Sequence, residues 1–119
     1  MVERISPEAL DRLLRGKIAE EAICLVKFYS NECHYCAALK EDYEQLSERY
    51  EDIHFFAFNV KDVESLMIGG IPLNGVPTIY MFKTGPRQKI INLEDPKEPH
   101  DVTWYSVEYI RDFVERHRA

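Results

Sequence analysis

Two cysteines stand three positions apart in "FYSNECHYC", Phe28 to Cys36, between a strand-like apolar run and the first turn of an amphipathic helix. A thiolate is both a nucleophile and a soft metal ligand, so Cys33 and Cys36 suit either disulfide exchange or metal binding. A zinc site needs two more ligands. No second Cys-x-x-Cys and no paired histidine spacing supplies them, and His34 lies too near Cys33 in the chain to decide the matter. The redox reading gains from position, because Cys33 falls at a helix N-terminus, where unpaired amides and the positive dipole end stabilise an anion. A free thiol of pKa about 8.5 is only a few per cent thiolate at pH 7, whereas sites of this kind reach about 3.5 to 7.5. His34, when protonated, pushes the same way.

The flanking segments carry the periodicities that such a site needs. "AICLVKFY", Ala22 to Tyr29, is a nearly continuous apolar run of strand length, which predicts a central strand covered on both faces. Cys36, Leu39, Tyr43, Leu46 and Tyr50 then recur at steps of three and four, with Lys40, Glu41, Glu44 and Glu48 opposite, predicting one long helix. Upstream, Val2 to Ile5 reads as a short strand, and Ser6-Pro7 opens a helix through about Arg15 by a serine cap and a proline at the first helical position. Downstream, "IHFFAFNV" (Ile53 to Val60) predicts a buried strand, and "KDVESLMIGG" a short helix stopped by Gly69 and Gly70. Thr78 to Phe82 and Arg87 to Leu93, joined by "KTGP", predict an antiparallel hairpin. "EDPKEPHD" predicts a loop, and Thr103 a cap for a last helix with Val107, Ile110, Val114 and His117 on one face. Cys24, inside the first apolar run, reads as a small buried hydrophobe.

At 119 residues the chain is expected to form a single domain, residues 1–119, with one core. Hydrophobic residues at 45% and charged residues at 30% place it outside the disordered regime. The net charge of −6, with lysines and arginines scattered among acids, argues against nucleic acid as a partner. No apolar run approaches the ~20 residues of a membrane span, and "MVERISPEALDRLLRGK" is acid-containing rather than signal-like, so no membrane association and a cytoplasmic location are expected. Three cysteines are too few for a secreted disulfide scaffold.

"FYSNECHYC" before a helix and "GVPTIYMFKTG" before a hairpin resemble the thioredoxin superfamily, over about Ala22 to Gly85. The resemblance implies an α/β thioredoxin fold, a central mixed sheet of four or five strands flanked by helices. It implies a monomeric thiol-disulfide oxidoreductase without a cofactor or metal, with Cys33 as the exposed nucleophile and Cys36 as the buried resolving thiol. Pro77 would be the family's cis-proline against the disulfide, and the backbone of Val76 would pair with a substrate segment as an added strand. Gly75, just before Val76, suits either close backbone approach by a substrate or an ordinary turn. The implied partners are protein disulfides and a recycling system of thioredoxin-reductase or glutathione type.

The chain also departs from the family pattern. Thioredoxins carry a tryptophan before the first cysteine and Gly-Pro between the two, where this sequence has Glu32 and His34-Tyr35. Tyr35 resembles glutaredoxins, which implies a glutathione-dependent alternative, although no basic pocket for the tripeptide is apparent. Lys27 stands where the family keeps a buried acid beneath the cysteines, and Ala57 where the lysine paired with that acid would be. Three readings of Lys27 follow: a charged group stabilising a thiolate, a neutral base with lowered pKa, or a side chain that snorkels to solvent along a sheet edge. Because Lys27 removes that acid, a redox-inactive adaptor or binding domain with structural or idle cysteines is the alternative from another class. The acids Glu94, Asp95, Glu98 and Asp101 against Lys97 suit either a solvated connector or a loop that favours basic partners.

Overall fold

Because a nearly continuous apolar strand must be covered on both faces, the run ending at Tyr29 dictates the architecture. In the computed structural model, which describes residues 1–62, 67–68, 71–72 and 75–119, the chain runs β1 (Val2–Arg4), α1 (Pro7–Leu14), β2 (Ile23–Tyr29), α2 (His34–Arg49), β3 (Ile53–Asn59), β4 (Met67–Ile68), β5 (Ile71–Pro72), β6 (Thr78–Lys83), β7 (Lys89–Asn92) and α3 (Val107–His117). A 3-10 turn, Val60–Asp62, follows β3. Five strands form one mixed sheet in the order β1-β3-β2-β6-β7. β1, β3 and β2 run parallel, and β6 and β7 turn back as an antiparallel hairpin. β2 is the middle strand, flanked by β3 and β6, and the three helices cover the sheet.

Alternation along β2 divides the core in two. Leu25 joins Phe55, Ile79 and Met81 beneath α2 and α3, against Leu39, Tyr43 and Ile110. Cys24, Val26 and Phe28 face the other way with Tyr80 and Phe82, under Leu10 and Leu13 of α1. Burying a leucine or phenylalanine side chain stabilises by roughly 1.5–3 kcal/mol, so these two layers hold the sheet rigid behind the cysteines. Gly85, at φ +113°, turns the chain between β6 and β7 where a Cβ would meet Glu21 Cγ at 2.8 Å.

Two expectations are corrected. The helix expected over "KDVESLMIGG" is absent at Met67–Ile68, which is extended and pairs antiparallel with Ile71–Pro72; residues 63–66 and 69–70 lie outside the described residues. β-branched Ile68 and Ile71 favour the extended form, and a glycine pair between apolar residues is as much a hairpin signal as a helix stop. The last helix is capped by Ser106, whose Oγ accepts from the Tyr109 N–H at 3.1 Å, and not by Thr103. Thr103 is buried and its hydroxyl donates to the Tyr105 carbonyl at 2.6 Å, while Trp104 takes a left-handed φ of 67° that forbids a helix start there.

Tyr43 joins α2 to the sheet, since its fully buried hydroxyl lies 2.8 Å from the Phe56 carbonyl and 3.1 Å from that of Leu25. It has one proton to donate and serves one carbonyl at a time. Tyr43→Phe keeps the ring and removes the donor, so urea unfolding should show a loss of about 1 kcal/mol at an unchanged m value. A loss within a few tenths of zero would contradict a structural role for the hydroxyl.

Candidate active site

β2 ends at Tyr29, and α2 begins four residues after Ser30, so the sheet delivers Cys33 to the cap position of α2. Cys33 has extended backbone (φ −89°, ψ 110°) and its Sγ accepts the Cys36 N–H at 3.0 Å. Cys33 and Cys36 are joined as a disulfide with Cα atoms 5.2 Å apart. Cys33 is partly exposed, whereas Cys36 is 4% exposed and faces the core. The amide that caps the helix in the oxidised form would equally stabilise a Cys33 thiolate after reduction.

Opposite the disulfide, the Val76-Pro77 peptide is cis. Cys33 Sγ lies 3.6 Å from the Val76 carbonyl oxygen, an acceptor for the Cys33 thiol once it is reduced. Tyr105 holds this turn from behind, its buried hydroxyl donating to the Pro77 carbonyl at 3.3 Å, and Thr78 Oγ1 donates to the Gly75 carbonyl at 2.5 Å. Gly75 has φ +127°, and nothing among the described residues outside its chain neighbours lies within 4 Å of where its Cβ would stand. Thus Gly75, Val76 and Pro77 line up beside Cys33. His34 opens α2 on the exposed side.

Lys27 is on the Leu25 side of β2, between Ala57 of β3 and Ile79 of β6. It is 4% exposed. β2 is the middle strand, which overturns the reading of Lys27 as a side chain escaping along a sheet edge. Its Nζ sits 4.7 Å above the centroid of the Tyr43 ring and faces a cavity of about 440 Å³ that Cys36, Lys40, Glu44 and Ala57 also line. Burial, aided by the charge of Lys40 and opposed by that of Glu44, pushes the ammonium pKa down to about 8. Cys24, on the opposite face, is pushed up to about 11 by burial and is neutral at working pH.

Two residues beside the site, Trp104 and Lys61, were not singled out by sequence reasoning. Tyr35, the most exposed aromatic of the site, packs edge-on against Trp104, ring centroids 5.3 Å apart. The Trp104 indole N–H donates to Asp95 Oδ1 at 3.1 Å. On the other flank Lys61 Nζ donates to Glu32 Oε1 at 2.5 Å, and this bond holds the Glu32 carboxyl below its usual range. The sole tryptophan of the chain was the available signal, but only the folded loop brings it beside Tyr35. Among the described residues no group of three His, Cys, Asp or Glu could hold a metal ion, and no helix is long and apolar enough to cross a membrane.

The mixed sheet, the capped Cys-x-x-Cys and the facing cis-proline define a thioredoxin fold carrying a dithiol site. A sequence model described as Thioredoxin matches residues 5–103, and the chain belongs to the thioredoxin family. It is 34% identical to a thioredoxin of Peptoclostridium acidaminophilum, over 71% of this chain and 77% of that one. It is 26% identical to the chloroplastic thioredoxin-like protein CITRX of Oryza sativa over 79% of its own length, and spans about half (49%) of that relative. Human protein disulfide-isomerase A2 is 27% identical over 61% of this chain and 14% of the isomerase. Among solved structures, the J-Trx1 fragment of ERdj5 superposes with a TM-score of 0.69 at 20% identity, covering 99% of this chain and 52% of that one. The thioredoxin of Malassezia sympodialis gives 0.69 at 14%, covering 99% and 94%.

A buried lysine of lowered pKa makes stability depend on pH in a defined sense. Below about pH 8 the folded protein holds the ammonium at a cost, of order 2–4 kcal/mol. Between about 8 and 10.5 the unfolded chain binds the additional proton, so folding stability rises with pH. Lys27→Met should therefore be more stable than the parent at pH 7, and denaturant titrations should find the gap closing towards pH 10.5. A gap that stays flat would contradict the lowered pKa.

Proposed function

We propose that this chain, acting as one unit, exchanges the Cys33-Cys36 dithiol and disulfide with protein disulfides. The observation that carries the reading is the capped, partly exposed Cys33 bonded to buried Cys36 and facing cis-Pro77. In the reducing direction the Cys33 thiolate attacks one sulfur of a substrate disulfide, forming a mixed disulfide and releasing the other sulfur as a thiolate that takes up a proton. The Cys36 thiolate then attacks Cys33 Sγ. The substrate's second sulfur leaves, two electrons have passed to the substrate, and Cys33-Cys36 is oxidised. The backbone of Val76 would hold the substrate segment as an added strand, and the space that the described residues leave at Gly75 favours this. Net direction follows from the recycling system, of thioredoxin-reductase or glutathione type, and from the poise of its compartment, for which the cytoplasm is our proposal.

Lys27 supplies what a buried acid would supply, with opposite charge. A neutral amine accepts the Cys36 proton, while an ammonium stabilises the thiolate formed when that proton goes to solvent. Both routes end in one state, a Cys36 thiolate facing the Lys27 ammonium, with a single proton shared by the pair. A pKa of about 8 puts the amine near working pH, where general bases are most effective. His34 and Tyr35, between the two cysteines, border the nucleophile and meet the substrate first.

The glutathione-dependent alternative is weaker, because the groove beside Tyr35 is lined by Glu94 and Asp95, which repel the carboxylates of that tripeptide. The adaptor alternative, in which the missing acid leaves the cysteines idle, is separated from the enzyme reading by turnover. Reduction of insulin with a thiol regenerant tests the proposal: the parent should turn over, Cys33→Ser should not, and Lys27→Met should fall roughly tenfold or more while the alkylation rate of Cys33 is kept. A parent without turnover would overturn the enzyme reading in favour of an adaptor. A Lys27→Met variant equal to the parent would overturn the role of Lys27 alone.

A further inference from the structure

A groove of about 360 Å³ runs beside the disulfide, between the cis-proline turn and the segment that follows β7. Its walls are Val76 and Pro77 on one side, and Tyr35, Trp104, Glu94 and Asp95 on the other. Two aromatic rings meet there edge to face, and two exposed carboxylates stand at the rim. No lysine or arginine is among the described residues lining it.

The wall is built with care. Trp104 occupies the left-handed region at φ 67°, which for a bulky side chain costs about 1–3 kcal/mol and persists only where neighbours enforce it. Four contacts do so. His100 and Trp104 exchange backbone hydrogen bonds at 3.0 and 3.1 Å, the indole N–H is held by Asp95, and the ring leans on Tyr35. His100 Nδ1 accepts the Val102 N–H at 3.1 Å, closing the turn in between. Tyr109 donates to the Glu94 carbonyl at 3.0 Å and fixes the start of the same segment. The Glu94 carboxylate makes no hydrogen bond or ion pair with the described residues, and Asp95 uses Oδ1 alone, so both can take a cation from outside.

Aromatic faces and carboxylates attract the same ligand chemistry. An ammonium or guanidinium gains from the ring quadrupole and from charge-assisted hydrogen bonds, and guanidinium adds planar stacking on the indole. We propose that this groove selects protein disulfides whose cysteine lies in an extended segment carrying arginine or lysine, with the cation seated between Trp104, Tyr35 and the carboxylates of Glu94 and Asp95. The inference rests on the oxidoreductase reading and names the substrate class of that site. On this proposal the loop after β7 takes a recognition role rather than that of a solvated connector.

The test is a matched set of disulfide peptides with arginine, glutamine or glutamate two places either side of the cysteine, on its strand face. The parent should reduce the arginine peptide roughly three- to tenfold faster in kcat/KM than the glutamine peptide, with glutamate slowest. The preference should shrink below about twofold at 1 M salt, where the Debye length is about 3 Å. In Glu94→Gln/Asp95→Asn, which keeps an oxygen acceptor for the indole, the ratio between arginine and glutamine peptides should approach one. Equal rates for the three peptides with the parent would overturn the inference and leave the oxidoreductase reading standing. A preference undiminished at 1 M salt would overturn it even if the double variant failed to fold. A parent reducing none of them would overturn both.

Discussion

The first turn of α2 leaves amide protons without helical partners, and the side chain that meets them is Cys33. Most of the site follows from that one cap. A sulfur that accepts the Cys36 N–H at 3.0 Å must sit at the helix start, so its partner one turn later points into the core and lies within bonding reach. β2 sets where the helix starts, and β2 is immovable because Leu25, Val26 and Phe28 are wholly buried between two layers. The cis-proline turn is fixed independently, by β6 and by the Tyr105 hydroxyl. Two rigid supports thus present the Cys33 sulfur and the Val76 backbone to the same space, a preorganisation that would lower the entropic cost of docking an extended segment in the proposed function.

Charge around the dithiol is divided by side. Beneath it lie the cations Lys27 and Lys40, with Glu44 in partial opposition, and in front of it lie Glu94 and Asp95. In the proposed function the rear cation would favour thiolate on Cys36, and the front anions a cationic substrate. Neither arrangement requires the net charge of −6 to be evenly spread. The tyrosine ring under Lys27 is an economical host for a buried ammonium, because its π face attracts the cation while burial raises the phenol pKa and keeps that group neutral.

How far the sequence foretells this depends on how local each determinant is. β2, α2 and the β6-β7 hairpin were legible, since buried-strand runs, a three-four repeat and a glycine turn are signals carried by neighbours in the chain. The Cys33 cap was legible for the same reason. Lys27 stood out as a lysine within an apolar run, yet its environment depends on which strands flank β2 and which helix lies above, facts fixed by sheet order. The β4-β5 pair was misread because a glycine pair serves two local structures. Ser106 was missed as a cap because Thr103 offers the same chemistry, and only the left-handed Trp104 tells them apart. Trp104 itself reaches Tyr35 across 69 positions of chain through the folded loop, a contact that no periodicity records.

The most direct measurement is to offer a disulfide-bonded protein to reduced Cys36→Ser and map the resulting adduct by mass spectrometry. The account predicts a stable mixed disulfide on Cys33, with none on Cys24, and its release once the parent's Cys36 is present to resolve it. Absence of an adduct on Cys33, or an adduct that dissolves equally fast without Cys36, would contradict the assignment of nucleophile and resolving thiol.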